Sequence, residues 1–205
     1  MTKVWLAALL AFSGAVPIYG GTIIFDSTGD SKDGSTKISA TVGPLYASFS
    51  TGANSGTLAA LGLTLVDSSP ADLGSITAIL YSDASGAPGF ILDALGSVAD
   101  SSLSSTPTLA AVSLLANPTL TASTNYWIQL STFGSGGWEF SNSPSGTGVA
   151  NQNIEFNQAL TPTSTTAFLM DVSVNGTTSA VPEPGTWSMM GVGVGLLLMS
   201  RKARQ

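Results

Sequence analysis

The chain has 205 residues and a formal net charge of −6; 43% of its residues are hydrophobic and only 9% charged. It contains no histidine and no cysteine. This excludes Ser-His-Asp and Cys-His nucleophiles, Cys/His zinc sites, thiolate-held iron–sulfur clusters, His- or Cys-ligated haem and any disulfide framework.

Three of the six cations, Arg201, Lys202 and Arg204, lie in the last five residues, and a fourth, Lys3, lies near the start. All 12 acids fall between Asp26 and Glu183. So acidic a chain is poorly matched to phosphates, and no nucleic-acid partner is expected. No cofactor and no metal are expected either.

At the start, Lys3 precedes an uncharged apolar run at 4–12, followed by Ser13-Gly14-Ala15-Val16-Pro17-Ile18-Tyr19-Gly20. A positive residue, a short apolar segment and a small-residue, helix-breaking stretch make a secretory signal peptide over residues 1–20, cut by signal peptidase after Gly20 or after Ala15, with the bond between Gly20 and Gly21 favoured. The apolar run is too short to span a bilayer.

Just beyond it, Asp26, Asp30 and Asp33 lie in one Ser/Gly-rich loop. Calcium takes six to eight oxygen ligands, but the spacing is not that of an EF-hand, and Lys32 opposes a cation. A solvated loop is the simpler expectation.

Residues 21–174 are expected to form one all-β domain, an antiparallel β-sandwich of jelly-roll-like form. No helical periodicity is evident. Instead apolar residues alternate: Leu45, Ala47 and Phe49; Leu61, Leu63 and Leu65; Ile76, Ala78 and Leu80; Tyr126, Ile128 and Leu130; Phe168, Met170, Val172 and Val174. Such segments bury one pleat face and leave the other wetter. Turns are predicted over 82–89 and at Gly134-Ser135-Gly136-Gly137, where glycine supplies positive φ. Residues 161–166 read as a polar loop.

Within this domain Trp127 and Trp138 are candidate stacking platforms for sugar rings, with Glu139 to accept hydroxyl hydrogen bonds. Trp127 falls on the strand face opposite Tyr126, away from the core. Glycoside hydrolysis needs two carboxyl groups about 5–9.5 Å apart. Glu139, Glu155 and Asp171 are the candidates, and nothing in the sequence pairs them. No catalytic residue is assigned.

The order of Phe49-Ser50-Thr51-Gly52, Ile79-Leu80-Tyr81-Ser82-Asp83 with Gly86-Ala87-Pro88-Gly89, Asn125-Tyr126-Trp127-Ile128 and Gly146-Thr147-Gly148-Val149-Ala150 is similar to the choice-of-anchor R domain. That resemblance implies a bacterial surface β-domain joined to a C-terminal sorting signal, with no assigned activity.

Residues 175–186 read as a linker ending in Val181-Pro182-Glu183-Pro184. Residues 187–205 read as a single transmembrane helix with a basic tail. The uncharged stretch from 184 to 200 would span about 25 Å as a helix, near the lower limit for a membrane. Arg201, Lys202 and Arg204 would hold its end in the cytoplasm. This combination resembles the PEP-CTERM sorting signal of exosortase substrates in Gram-negative bacteria. The resemblance implies export, transient membrane retention, cleavage near Pro-Glu-Pro and delivery to the cell surface or outside it, in an envelope rich in exopolysaccharide such as a biofilm matrix. The expected function is therefore an exported structural protein without enzymatic activity. The alternatives are a carbohydrate-binding module for exopolysaccharide and, behind it, a carboxylate-based hydrolase.

Overall fold

Alternating apolar residues become paired strands in the computed structural model, which describes residues 21–148, 153–156, 159–162 and 166–176. The expected signal-peptide helix and the expected membrane helix lie outside the described residues. Among the described residues no helix is long and apolar enough to cross a membrane.

Among the described residues the fold is all-β, in two antiparallel sheets. The first contains β1 (Thr22–Asp26), β2 (Gly34–Ser39), β4 (Gly56–Asp67), β7 (Thr108–Ala111), β9 (Thr119–Leu120), β11 (Ser135–Ser141), β14 (Ala167–Phe168) and β15 (Met170–Asn175). The second contains β3 (Leu45–Ser50), β5 (Ser75–Asp83), β6 (Pro88–Ala99), β8 (Ser113–Leu114), β10 (Asn125–Thr132), β12 (Asn153–Phe156) and β13 (Ala159–Pro162), ordered β13-β12-β3-β10-β5-β6-β8. A short 3₁₀ turn, Asp100–Ser102, follows β6.

One hydrophobic cluster draws on both sheets. Leu61, Leu63, Leu65, Met170 and Val172 come from the first, and Ala47, Phe49, Leu80, Ile128 and Leu130 from the second. Every apolar set that alternates in the sequence is buried. Two antiparallel sheets sharing one core are compatible with a β-sandwich, in which each sheet buries one face. Among the described ring pairs the closest is Trp138 stacked on Phe168, with ring centroids 4.5 Å apart and planes at 12°.

Two sequence expectations about turns divide here. The β5–β6 connection is a hairpin, with Asp83 opposite Pro88. Ser85 and Gly86 have φ of 58° and 88°, the positive values that a type I′ turn requires at both central residues. The Asp83 carboxylate accepts the Gly86 N–H at 3.2 and 3.1 Å. The second expectation is corrected. Gly136 and Gly137 are not in a turn but in β11, opposite Ile38 and Lys37 of β2 and Asp67 and Val66 of β4. A Cβ at Gly136 would come within 2.7 Å of Ile76 Cδ1, and one at Gly137 within 2.8 Å of Val66 Cγ1. Glycine stands there because neighbouring side chains fill the space. The polar loop expected over 161–166 is likewise shortened, because β13 runs to Pro162.

Candidate functional site

The two ends of the domain meet. β1 and β15 are antiparallel neighbours with Thr22 opposite Val174. A chain cut between Gly20 and Gly21 would begin beside the point where the C-terminal tail departs. A Cβ on Gly21 would meet Ala59 Cβ, Ser173 Oγ and Val174 O, each at 3.2 Å. The exit is equally close. β4 follows β15 as far as Thr57 opposite Asn175, and a Cβ on Gly176 would collide with the Ser55 carbonyl. β15 lies between β1 and β4, so this sheet closes only once residue 175 is in place. Val181, Pro182, Glu183, Pro184, Arg201, Lys202 and Arg204 lie outside the described residues, as does Gly20.

The three ligand-binding candidates do not form one surface. Trp138 is fully buried in the core, and its indole N–H donates to the Leu169 carbonyl at 3.1 Å. Glu139 follows it in β11, so its side chain leaves the opposite sheet face. Trp127 does lie away from the core, as its alternation with Tyr126 predicts, yet it is 0% exposed. Its Nε1–H donates to Asp83 Oδ1 at 2.8 Å. Neither indole offers a face to a sugar, and the stacking expectation for Trp127 and Trp138 is corrected accordingly. A sequence pattern tells which side of a strand a residue takes, not what covers that side.

Glu139 is 4% exposed. Burial raises its carboxyl above the usual carboxylate range, with Lys32 and a hydrogen bond from Ser35 opposing. Asp171 is raised mainly by burial, with Asp26 adding and the Gly62 N–H opposing. The two carboxylates thus have separate surroundings, and the side chain of Glu155 lies outside the described residues. Asp171 lines a cleft of about 560 Å³ with Leu109, Val112, Leu114 and Asn117.

The Asp26–Asp33 loop spends its carboxylates on local structure. Asp26 Oδ1 accepts the Thr28 N–H at 2.9 Å and its hydroxyl at 2.7 Å. Asp30 accepts the Ser145 N–H at 2.8 Å and also its hydroxyl. Asp33 Oδ2 accepts the Asn142 N–H at 2.6 Å. Asp30 and Asp33 thereby pin the 142–145 segment.

Sequence reasoning overlooked the outward face of the second sheet. Tyr46 stands opposite Gln129, and Tyr81 opposite Trp127. The two half-buried tyrosine rings meet edge to face at 5.7 Å, and Tyr81 donates its hydroxyl to Gln129 Oε1 at 2.9 Å. The strand alternation that marked the core also carried this signal, because Tyr46 and Tyr81 occupy the wetter phase of β3 and β5.

Comparison with known protein families matches residues 180–205 to the PEP-CTERM protein-sorting motif. No curated protein matches the chain. The motif supports a secreted protein processed by an exosortase, exported and anchored through its C-terminus before cleavage.

Proposed function

We propose that this chain is a non-enzymatic surface or matrix protein of a Gram-negative bacterium. A signal peptide at residues 1–20 exports it, the tail holds it transiently in the membrane, and an exosortase cuts near Pro182-Glu183-Pro184. Its β-domain is of the choice-of-anchor R type and packs as a jelly-roll-like sandwich. The motif residues named for that resemblance fall largely at strand ends and turns, which fits a scaffold more than a reaction centre.

The observation that carries this reading is the sorting motif directly behind β15. Five residues, 176–180, separate Asn175 from Val181, a reach of at most about 22 Å over six Cα–Cα steps. Because β15 lies inside its sheet, the fold is completed by the last residues before the motif. The domain can therefore finish folding outside while the tail is still held.

Deletion of Pro182 to Gln205 in the native host should leave the protein exported but unanchored. Membrane retention after that deletion would refute the sorting role. Mass spectrometry of the mature protein should place its start at Gly21 and its end near the Pro-Glu-Pro segment.

A second reading, binding of exopolysaccharide, is favoured by the Tyr46, Tyr81 and Gln129 face, which offers aromatic surface beside an amide. Tyr81→Ala should then reduce retention on exopolysaccharide without unfolding the domain.

A further inference from the structure

We infer that the β5–β6 hairpin is a bilayer contact, with Phe90, Ile91 and Leu92 resting in the lipid interface of the membrane that holds the tail. The inference rests on the tail-held state of the proposed function. Phe90 is 84% exposed, Ile91 63% and Leu92 48%. Single apolar residues on a surface are ordinary, but a contiguous apolar patch marks a contact. From Ala84 to Leu92 there is no charged residue. The Asp83 carboxylate beside the turn is taken up by the Trp127 indole and the Gly86 N–H.

Strand geometry explains why adjacent residues all reach the outside. A regular strand would turn Ile91 away from Phe90 and Leu92. Here the β5–β6 register shifts between Leu80 and Tyr81 and again between Tyr81 and Asp83, which breaks the alternation. β8 pairs with β6 at Gly96 and Ser97. Over residues 88–94, among the described residues, β6 therefore has a neighbouring strand on one side only.

Position in the fold selects the partner, because the hairpin and the tail exit lie at the same end. Asn175 stands opposite Thr57, and Thr57 opposite Thr119. Thr121 donates its N–H to the Tyr126 hydroxyl at 2.9 Å, and Tyr126 stands opposite Ser82, next to the turn. Eleven residues separate Asn175 from Trp187, where the expected membrane helix begins, a reach of at most about 43 Å. This end of the domain is thus held close to the bilayer. Exposed Leu73 and Phe133 lie at the far end, beyond the length of β4, about 36 Å. The tether makes hairpin contact intramolecular, so a few apolar side chains suffice. A second copy is the weaker fit. An irregular edge spoils the ladder that strand-to-strand pairing needs, whereas a lipid interface demands no register and takes up apolar side chains by area.

The test exploits the absence of cysteine. Ala84→Cys at the exposed hairpin tip and Phe133→Cys at the far end each carry one fluorescent label. The full chain is reconstituted through its tail into vesicles of phosphatidylcholine and phosphatidylethanolamine, which have no net charge to repel an acidic domain. Spin-labelled lipid should quench the label at position 84 and leave the one at position 133 unchanged. Phe90→Ser combined with Leu92→Ser should abolish the quenching at position 84. Both side chains are exposed, so Tm and flotation with the vesicles should be kept. Equal quenching at the two positions, or quenching that survives the double substitution, would overturn the inference. So would a label at position 84 that lipid does not quench but that becomes shielded as protein density rises, which would assign the hairpin to a second copy. Failure of the chain to float would refute the tail reading and this contact with it, whereas flotation with an unquenched label would refute the contact alone.

Discussion

Trp127→Ala separates a structural indole from a sugar platform. The side chain is wholly buried, and removal of a buried Trp costs about 3–5 kcal/mol through lost transfer energy and the cavity left behind. Its Nε1–H also donates to the Asp83 carboxylate at 2.8 Å, and hydrogen bonds to charged groups contribute about 1.5–3 kcal/mol. Asp83 keeps the Gly86 N–H, so its carboxylate is not stranded and this part should lie at the low end. Trp127→Phe, which retains most of the apolar volume, should then cost about 1–2 kcal/mol. Trp127→Ala should cost about 4–5 kcal/mol, a fall in Tm of roughly 8–20 °C for a domain of this size. Urea denaturation of the full chain at neutral pH reads both, and the midpoint should move with little change in slope. Glycan retention, measured where both proteins are folded, should be unchanged by Trp127→Phe. A wild-type midpoint for Trp127→Ala would refute the reasoning, because a fully buried indole cannot be deleted without cost.

Two further predictions concern charge and backbone. Burial holds the Asp171 carboxyl above its usual value of 3.8, so the native state takes up that proton more readily than the unfolded chain. The ionised form therefore costs stability that begins to be lost as pH rises past 3.8 and is fully lost above the native value. Asp171→Asn, whose amide oxygen can still accept the Gly62 N–H, should gain on wild type between about pH 3 and pH 7 in parallel melting curves. A pH-independent difference would contradict this. Gly96 has φ of 145°, and a Cβ there would strike the Ser113 carbonyl of β8. Gly96→Ala should cost about 1–3 kcal/mol, whereas Gly29→Ala, with nothing within 4 Å, should be neutral or stabilising by less than about 1 kcal/mol. Equal midpoints for the two variants would show that the β6–β8 contact is looser than described.

Strand phases and the sorting signal were legible from the residues alone. Alternation is a local property. Once Leu61, Leu63 and Leu65 share a face, burying that face fixes their direction, and the same holds for Ile128 and Val172. A sorting signal is also linear, since a processing enzyme reads residues 180–205 as a segment, without needing the fold. Tertiary structure alone decided which residues are covered and which distant ones meet. Trp127 takes the side its phase predicts yet is buried, because exposure depends on what packs over a strand. Gly136 and Gly137 look like turn residues, but Ile76 and Val66 occupy the space their side chains would need. Asp67, Asp72 and Asp100 share no motif, yet one carboxylate oxygen from each lies within 4.8 Å of the others, because strand pairing brings the 3₁₀ turn after β6 to the β4–β5 connection. Asp26, Asp30 and Asp33, adjacent in sequence, turn outward to separate backbone partners instead. Nearness along a chain brings side chains together only when the backbone directs them to one point, and that direction is set by strand pairing across the whole domain.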